Sequence, residues 1–422
     1  MEMEIWILNH YTGRPGEVLG ARHVFLAEAL VKMGHQVLLG YASDHHHRMS
    51  DLSRERCGKV EEDTSSGVRY VAVEVDSYQG NGVGRLKNLL GFAVSSKVFL
   101  NLVETGAVRA PDIVLASSPT PLVFLLATSL RRRFGGKVVF EVRDLWPESL
   151  VDVLGKSRWS PAVVLFGLAA SYAYRSSDAV TSLLPASSEY LRSRTRGKKV
   201  GIFPNGLGHI EGDEGAAVPE LPAEIRDCIE ECRRKGRFLI GYTGSMGPPN
   251  GLGLLLDLQN CMGEGEVAFQ ILLVGDGTMR AELEARASNE GLEYLTFLPR
   301  IPRESVRSFL GMMDANFACA LPLPIYRYGI SFNKIFEYMF VGRPLVFAGD
   351  VAENPVSISG GGVVVPPGDP TMLLGAIERL IAMDEGQRRN MGSSAKAYVE
   401  QNHNWETIGV EYGRFLEDVV DS

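Results

Sequence analysis

The chain has 422 residues, which is too long for one typical domain and predicts two or three domains. Hydrophobic residues make up 45% of it and charged residues 22%, as in soluble globular proteins. The net charge of −8 is divided unevenly, because residues 1–200 carry a basic excess and residues 201–422 an acidic one. The split indicates that the first half faces something anionic, although its basic clusters, residues 131–133 and 192–199, are also typical of a solvated surface.

The chain is expected to be cytoplasmic, either soluble or peripheral on the inner face of the cell membrane. Residues 1–6 are acidic and lead straight into a strand pattern, so no secretory leader is expected. No apolar run is predicted to approach the roughly 20 residues of a membrane span. The five cysteines, at positions 57, 228, 232, 261 and 319, lack the spacing of a disulfide framework, which favours a reducing compartment and argues against structural zinc.

Short apolar runs alternate with helical patterns along the chain, which is typical of parallel sheets joined by crossover helices. The predicted strands of the first half are 5–8, 37–41, 68–75, 113–116, 138–142, 179–182 and 200–203. The periodicity breaks between residues 205 and 236, which predicts a domain boundary. The predicted strands of the second half are 238–242, 269–274, 295–298, 315–319, 345–347 and 363–365, followed by a helical tail from Pro370. The fold class is therefore α/β, with two Rossmann-like parallel-sheet domains facing a cleft.

The loop after the first strand is a candidate site, because ligands of parallel sheets bind outside the carboxyl ends of the strands. Glycines at positions 13, 16 and 20 would let a ligand approach the backbone closely. His10, Arg14 and Arg22 are predicted at the rim of this loop. Loop flexibility alone would explain the glycines equally well.

Residues 83–100 form a basic, amphipathic helical pattern with apolar residues at Leu86, Leu89, Leu90, Val94 and Phe99. Such a helix could lie on an anionic membrane. The alternative is a core helix of the first domain.

Charged residues follow the predicted strand 138–142 directly. Arg143, Asp144 and Glu148 stand there together with Trp146, where a plain loop would favour small turn formers. The sequence therefore predicts a site role for this segment.

Two glycine-rich loops of the second half also follow strands and open helices. They are residues 241–251, which include Gly244 and Asn250, and the tight turn Gly275-Asp276-Gly277. Each loop is common turn chemistry on its own. Since both fall at strand carboxyl ends of one predicted domain, together they favour a nucleotide-phosphate site.

The helix after Ser331 has polar residues where it could present them to a phosphorylated ligand. Ser331 could cap the helix, whose first N–H groups could hold an anion, and Lys334 would add a full positive charge. Glu337 is three residues further on the same face, where its carboxylate could accept hydrogen bonds from ribose hydroxyls. The alternative is an ordinary amphipathic helix in which Lys334 and Glu337 form a solvated ion pair.

Several other chemistries lack their usual motifs. The sequence has no G-x-G-x-x-G or P-loop pattern, no His-Glu-x-x-His and no Gly-x-Ser-x-Gly. It also has no Asp-x-Asp motif for a metal, and residues 45–47, three histidines in a polar segment, are interpreted as a loop. No metal, other cofactor or nucleic-acid partner is expected.

In combination, these motifs resemble the retaining glycosyltransferases of family 4, which have the GT-B fold, and especially their bacterial surface-polysaccharide branch, which makes O-antigen and capsule. The resemblance spans nearly the whole chain. It rests on the segments 143–149, 203–206, 242–244, 274–277 and 298–302, and most specifically on 333–339 followed by Gly342-Arg343-Pro344.

The resemblance implies three parts. Residues 1–205 would be an acceptor-binding domain, residues 206–400 a nucleotide-sugar-binding domain, and residues 401–422 a helix that crosses back to the first domain.

The family's functional residues can be carried over to matching positions. Glu337 would bind the donor ribose, and residues 331–334 would hold the diphosphate. The full set implied for the donor is Gly16, Gly244, Asn250, Gly275, Asp276, Gly277, Arg300, Ile301, Ser331, Phe332, Asn333, Lys334 and Glu337. The set implied for the acceptor is His10, Arg14, Arg22 and Trp146. Arg143, Asp144, Glu148 and Lys334 would act in catalysis, by positioning the reactants and balancing charge.

The sequence departs from the family pattern at three positions. Gly329 stands where the family usually has a glutamate that touches the donor sugar, so that contact is missing or comes from elsewhere. Asn250 stands at the position of a usual basic residue, and Arg143 at that of a frequent histidine. These differences put the identity of the donor sugar in doubt.

The expected activity is retaining transfer of a hexosyl or N-acetylhexosaminyl group from a nucleotide diphosphate. UDP is the favoured carrier, and N-acetylated and deoxy sugars are among the expected donor sugars. The acceptor would be lipid-linked or another saccharide, and an anionic membrane surface would be a further partner. Two alternatives stay open, a nucleotide-sugar 2-epimerase of the same fold and a non-catalytic nucleotide-sugar-binding partner of a polysaccharide assembly complex.

Overall fold

The computed structural model describes residues 2–18, 22–45, 48, 54–78, 80, 82–118, 120–207, 220–263 and 267–422. The chain divides into two compact units. Unit 1 combines Met1–Gly208 with Trp405–Ser422, and unit 2 is His209–Asn404. The divisions implied by the resemblance, after residues 205 and 400, stand a few residues earlier, and the predicted periodicity break between 205 and 236 includes the first observed division.

Unit 1 is built on one sheet whose strands are β1 (Glu4–Asn9), β2 (Gln36–Ala42), β3 (Val60–Glu62), β4 (Arg69–Val73), β5 (Ile113–Ser117), β6 (Lys137–Val142), β7 (Ala179–Ser182) and β8 (Lys199–Ile202). Their order is β3-β4-β2-β1-β5-β6-β7-β8, and all neighbours are parallel except β3 and β4. All six residues of β1 are buried, as expected for a central strand covered on both faces. The edge strand β3 is not predicted from the sequence, because three partly exposed residues are too few to show an alternation.

The helices of unit 1 before residue 208 are α1 (Arg22–Lys32), α2 (Val83–Ala93), α3 (Ser96–Glu104), α4 (Val123–Phe134), α5 (Glu148–Asp152), α6 (Pro161–Ser176) and α7 (Ser188–Thr195). They cover both faces of the sheet. Val139 of β6 belongs to the core beneath α1, whereas its neighbour Phe140 contacts Phe124 of α4 and Tyr174 of α6.

Residues 83–100, predicted as one helix, are divided between α2 and α3 by a turn at Val94 and Ser95. Leu89 and Phe99 are buried, whereas Val94 is 69% exposed. Among the described residues, the run Val83–Glu104 is long and apolar enough to cross a membrane by length and composition alone. The prediction that no run reaches that length is therefore wrong, although buried core helices meet the same criterion.

Unit 2 has a second parallel sheet with strands β9 (Phe238–Ser245), β10 (Phe269–Asp276), β11 (Leu295–Leu298), β12 (Ala315–Cys319), β13 (Leu345–Ala348) and β14 (Gly362–Val365). Its order is β11-β10-β9-β12-β13-β14. The direction of winding reverses between β9 and β12, and crevices at such reversals are where ligands of this architecture bind.

The helices of unit 2 are α8 (Ala223–Arg234), α9 (Gly253–Leu256), α10 (Arg280–Asn289), α11 (Val306–Gly311), α12 (Asn333–Phe340), α13 (Pro355–Ser359), α14 (Pro370–Ala382) and α15 (Glu385–Asn402). Leucine, isoleucine and aromatic side chains from β9, β10 and α14 form its own buried core.

A last helix, α16 (Trp405–Val420), belongs to unit 1 and packs against α1. The two helices approach closely because Gly409 has no side chain: a Cβ added there would overlap the Cβ of Ala29. Tyr412 of α16 is fully buried and its ring contacts that of Phe203. The helix therefore completes the core of a unit that begins some 400 residues earlier in the chain.

Candidate functional site

The carboxyl ends of β9 and β10 approach so closely that β10 tolerates no side chain at the contact. Gly244 pairs with Gly275 in the ladder, and a Cβ at Gly275 would overlap the carbonyl oxygen of Gly244. A Cβ at Gly277 would lie 2.6 Å from backbone atoms of Met246. Both strands therefore continue beyond their predicted ends at 242 and 274, and present bare backbone at the edge of the sheet.

Lys334 extends from α12 to this glycine edge. Its Nζ lies 3.0 Å from the hydroxyl of Tyr242 and 2.6 Å from Oδ1 of Asn250. The amide of Asn250 donates in turn to the carbonyl of Ser245 at 2.8 Å. A Cβ at Gly244 would lie 3.4 Å from Nζ, so the ammonium group stands directly beside the bare backbone.

The charge of Lys334 has no anionic partner: among the described residues, no carboxylate forms an ion pair with it. Burial lowers the pKa of Lys334 to about 8, which leaves the side chain mostly protonated at neutral pH. An unpaired, half-buried ammonium group beside exposed backbone is suited to an incoming anion.

The start of α12 lies next to Lys334. The helix begins at Asn333, with Phe332 as the cap residue and no side-chain cap. The predicted cap role of Ser331 is therefore wrong, since Ser331 lies one residue before the cap. The first N–H groups of any helix have no partner within the helix, so the amides of Asn333 and Lys334 can still donate hydrogen bonds to an anion.

Glu337 does not pair with Lys334, so the alternative of an ion pair within the helix is wrong. Its carboxylate contacts Arg303 at 2.7 Å, and the side chains are 17% and 64% exposed respectively. Arg303 follows β11 in the same loop as Arg300 and Ile301. The structure thus brings this loop and Glu337 together.

Asp276 and Arg280 shape the loop ends. Asp276 is exposed, and its Oδ1 accepts the N–H of Gly277 at 2.7 Å. Arg280 donates to the carbonyls of Gly275 and Leu298, the latter at 2.9 Å, and so connects the loops after β10 and β11.

Sequence reasoning missed the residues that support the glycine edge of β9 and β10. The hydroxyl of Tyr338 accepts the N–H of Thr243 and donates to its carbonyl, both at 2.6 Å, and so fixes the end of β9. The ring of Tyr242 packs against the ammonium group of Lys334, with its centroid 4.6 Å from Nζ. One signal was available, because Tyr338 follows Lys334 by one helical turn.

In unit 1, the structure separates the predicted residues after β6. Arg143 is half-buried, with its backbone N–H on Ser118 Oγ at 2.9 Å, and Asp144 is exposed. Glu148 is 7% exposed and lies 3.3 Å from Arg194. Trp146 packs on Phe166 of α6, with ring centroids 4.7 Å apart. Arg143 and Asp144 therefore remain accessible at the sheet edge, whereas Glu148 is held inside.

Two residues predicted at the rim of the first loop, His10 and Arg22, are buried, so the predicted rim position is wrong, whereas their role in acceptor binding stays a prediction. The Nε2 of His10 lies 2.7 Å from Oδ1 of Asn88, and the ring is 2% exposed. Arg22 is 7% exposed and contacts Glu141 at 2.7 Å, with further hydrogen bonds to the carbonyls of Phe203 and Pro204.

The other residues of that loop lie nearer the surface. Arg14 pairs with Glu61 at 2.5 Å, with about a third of its side chain exposed. Gly16 has a φ of 76°, which glycine adopts without strain. Gly20 lies outside the described residues.

Glu141 is the centre of a buried network that sequence reasoning missed. Its carboxylate accepts from Arg22, from Ser117 Oγ at 2.8 Å and from the hydroxyl of Tyr412 at 3.1 Å, and contacts His23 at 3.1 Å. Burial alone would raise its pKa, but Arg22 and His23 hold the pKa of Glu141 well below its usual range. Burial lowers the pKa of His23 to about 4, so this imidazole is neutral at pH 7.

The described residues contain no group of three histidine, cysteine, aspartate or glutamate side chains placed to hold a metal ion. His45 is buried beside the carbonyl of Thr12, and residues 46 and 47 of the histidine run lie outside the described residues.

Two family models match the chain, one in each unit. Residues 21–206 match the model of a glycosyl transferase 4-like domain, and residues 237–383 match that of glycosyl transferases group 1. The chain is a glycosyltransferase of the GT-B type.

This glycosyltransferase is similar to the probable glycosyltransferase WbjE of Pseudomonas aeruginosa, with 22% identity over 76% of the chain and 78% of WbjE. Its fold is similar to that of sucrose-phosphate synthase from Thermosynechococcus elongatus, with a TM-score of 0.72, 17% identity and 99% of both chains covered. HepE of Anabaena, solved with UDP-glucose, gives a TM-score of 0.62 at 20% identity, covering 99% of this chain and 100% of HepE.

Proposed function

We propose that this glycosyltransferase moves a sugar from a UDP-sugar to a lipid-linked or saccharide acceptor in cell-surface polysaccharide synthesis, with retention at the anomeric carbon. The observation that carries the donor proposal is the unpaired ammonium group of Lys334 beside the bare backbone of Gly244. The donor sugar is proposed to be a hexose or N-acetylhexosamine, deoxy sugars included.

The diphosphate would lie between Lys334 and the start of α12. There it meets the ammonium group, the amides of Asn333 and Lys334, and a glycine edge that leaves room for phosphate oxygens. As the bond to the sugar breaks, negative charge grows on the departing diphosphate, and a fixed cation stabilises it most at that moment. The proposal includes no metal and no other cofactor.

The nucleoside would lie toward the loop after β11. Glu337 would accept hydrogen bonds from the ribose hydroxyls, while Arg300 and Ile301 would contact the base. Because Arg303 is 64% exposed, its ion pair with Glu337 is weak, and the ribose hydroxyls can replace it. HepE, which has this fold, was solved with UDP and with UDP-glucose, and this supports a UDP-linked donor.

Acceptor positioning is proposed for unit 1. The exposed Asp144 and half-buried Arg143 lie where the loop leaves β6, and Glu148 with Arg194 braces the helix that follows. Arg143 and Asp144 would orient the acceptor hydroxyl and balance charge. The family models are those of transferases, which favours transfer over epimerisation or binding without catalysis.

The test is a thermal-shift panel of UDP-, GDP- and TDP-sugars on the wild type, on Lys334→Gln and on Lys235→Gln. Lys235 lies at the end of α8 and pairs with Glu231, so it serves as the matched lysine control. UDP-sugars should stabilise the wild type and the control, since a ligand that binds only the native state raises its stability. A shift that Lys334→Gln retains in full would overturn the donor site, and a larger shift with GDP-sugars would overturn the choice of base.

A further inference from the structure

The outer face of α6 exposes a stripe of large apolar side chains that sugar transfer does not explain. Val164 is 44% exposed, Leu165 45%, Leu168 66% and Tyr172 38%. Their spacing places them on one face of the helix, whereas Val163 and other residues of the opposite face are buried. Adjacent apolar side chains in water are the usual mark of an interaction surface.

The segment just before α6 extends this stripe. Every residue from 153 to 159 is exposed, including Val153 and Leu154, and Trp159 is 88% exposed. The other three tryptophans differ, because Trp6 and Trp405 are buried and Trp146 is half-buried. Together, residues 153–159 and the exposed face of α6 form what we call the α6 surface.

The charged residues within residues 153–177, which include the α6 surface, are all basic, and the acidic neighbours Glu148 and Asp178 are paired with Arg194 and Arg131. Residues 153–177 contain Lys156, Arg158 and Arg175 and not a single aspartate or glutamate. Leu168 lines a cavity of about 290 Å³ together with Arg194 of α7 and its ion-pair partner Glu148. Apolar side chains and a tryptophan, with a net excess of basic groups among them, match the interface of an anionic bilayer.

A second copy of the chain fits this surface poorly. In a symmetric dimer the same patch meets itself, so Lys156 and Arg158 would lie against a segment that supplies basic residues and no carboxylate. Anionic lipid headgroups would neutralise these cations and let the apolar stripe enter the headgroup region.

We propose that the α6 surface docks on an anionic lipid bilayer, with Trp159, Leu165 and Leu168 in the headgroup region and Lys156 and Arg158 on lipid phosphates. This places the main lipid contact on α6 and the segment before it. Residues 83–100, predicted for this role, bury Leu89 and Phe99 in the unit instead. The proposal does not rest on the donor site, because every residue that carries it lies in unit 1.

The test uses the full chain and co-sedimentation with vesicles, either of pure phosphatidylcholine or with a third of it replaced by phosphatidylglycerol. At low salt the wild type should partition at least tenfold more into the anionic vesicles, and high salt should reverse most of the binding. Tryptophan emission should move to shorter wavelength on binding, since Trp159 is the exposed indole. Trp159→Phe should abolish that spectral shift while keeping most of the binding.

Two double variants and two matched controls locate the surface. Leu165→Glu with Leu168→Glu, and Lys156→Glu with Arg158→Glu, should each lower vesicle binding at least tenfold. The apolar control is Ile358→Glu with Met372→Glu, two side chains of unit 2 that are 53% and 51% exposed. The charge control is Arg234→Glu with Arg414→Glu, which are exposed on α8 and α16. Both controls should bind as the wild type does, and circular dichroism checks that every variant is folded.

Three outcomes would overturn the proposal. They are a wild type that stays in the supernatant with both kinds of vesicle, controls that lose binding as much as the α6 variants, and a dimer that the α6 variants disrupt without any lipid binding. Thermal shifts with UDP-sugars are read on the same samples. Loss of vesicle binding with intact UDP shifts would leave the proposed function in place.

Discussion

At the scale of single residues, Lys334 links the donor proposal to pH. Burial lowers its pKa to about 8, and a bound diphosphate, which favours the protonated form, would raise it again. The protein should therefore bind UDP most tightly below the pKa of Lys334 in the unliganded state, where the ammonium group is protonated. Above that pKa the affinity falls by up to about tenfold per pH unit.

We expect the Kd for UDP, measured by calorimetry, to be nearly constant around pH 7 and to increase about tenfold between about pH 8 and pH 9.5. Lys334→Gln should bind weakly with a flat profile over this range, because glutamine does not titrate. A wild type with the same flat profile would show that Lys334 does not contact the phosphates.

Glu337 can be tested separately through the ribose. If its carboxylate accepts a ribose hydroxyl, the wild type should bind UDP about 10–100-fold more tightly than 2′,3′-dideoxy-UDP, the range for a hydrogen bond to a charged group. Glu337→Ala should bind the two nucleotides equally. Arg303→Ala keeps the carboxylate and removes only its protein partner, so it should retain the preference. Equal loss of preference in both variants would assign the effect to the loop and not to Glu337.

The residue types in the sequence predicted Lys334 as the cation of α12 and Glu337 as its carboxylate. They did not predict the residues that these two side chains contact. Asn250 and Tyr242 are far from Lys334 in sequence and meet it only because the loop after β9 returns to the sheet edge. His10 and Arg22 show that exposure is harder to predict than residue type. A polar residue after a strand reads as a ligand contact in sequence, whereas burial and the position of Glu141 decide its role in the fold.

At the scale of elements, the Glu141 network joins α1, β5, β6 and α16 through one buried carboxylate. Two arginines that the sequence placed together should therefore behave differently. Arg22→Ala leaves Glu141 without its main partner and should lower the free energy of unfolding by about 3–5 kcal/mol. Arg14→Ala breaks the partly exposed pair with Glu61 and a distant contact with the Tyr70 ring, and should cost about 1 kcal/mol.

Urea unfolding followed by circular dichroism measures both changes. Equal costs for the two variants would contradict the assignment of Arg22 to the core. UDP affinity should be the same in both, because the proposed donor residues other than Gly16 lie in unit 2.

Most strands were predictable because apolar runs bounded by turn residues are long enough to show a pattern. Two kinds of element escaped. The three residues of β3 show no alternation, and the extensions of β9 and β10 run through glycines, which in sequence indicate a turn. The ladder continues there because the bare backbones of Gly244 and Gly275 fit against each other. That fit is a property of two segments and cannot be read from either one.

At the scale of the whole molecule, the contact between α16 and α1 decides whether unit 1 is complete. Gly409→Leu places a side chain where the Cβ of Ala29 lies and should destabilise unit 1 by at least about 1–3 kcal/mol. Gly375→Leu on α14, where an added Cβ meets open space, is the matched control.

Thermal unfolding should show a lower first transition for Gly409→Leu than for the control. The Kd for UDP should stay within about twofold of the wild type in both variants, since unit 2 has its own core. A large loss of UDP affinity in Gly409→Leu would show that the donor site depends on unit 1.

The position of α16 also affects the order in which a ribosome completes the two units. Unit 1 is made of two stretches of chain separated by the whole of unit 2, so α1 emerges long before the helix that covers it. At the usual rate of synthesis, making unit 2 takes about 10–40 s, and during that time Leu30 and its apolar neighbours lack the cover of Trp405 and Tyr412. The chain of unit 2, which is continuous, is therefore completed before that of unit 1, and the apolar face of α1 can be covered only after α16 has been made.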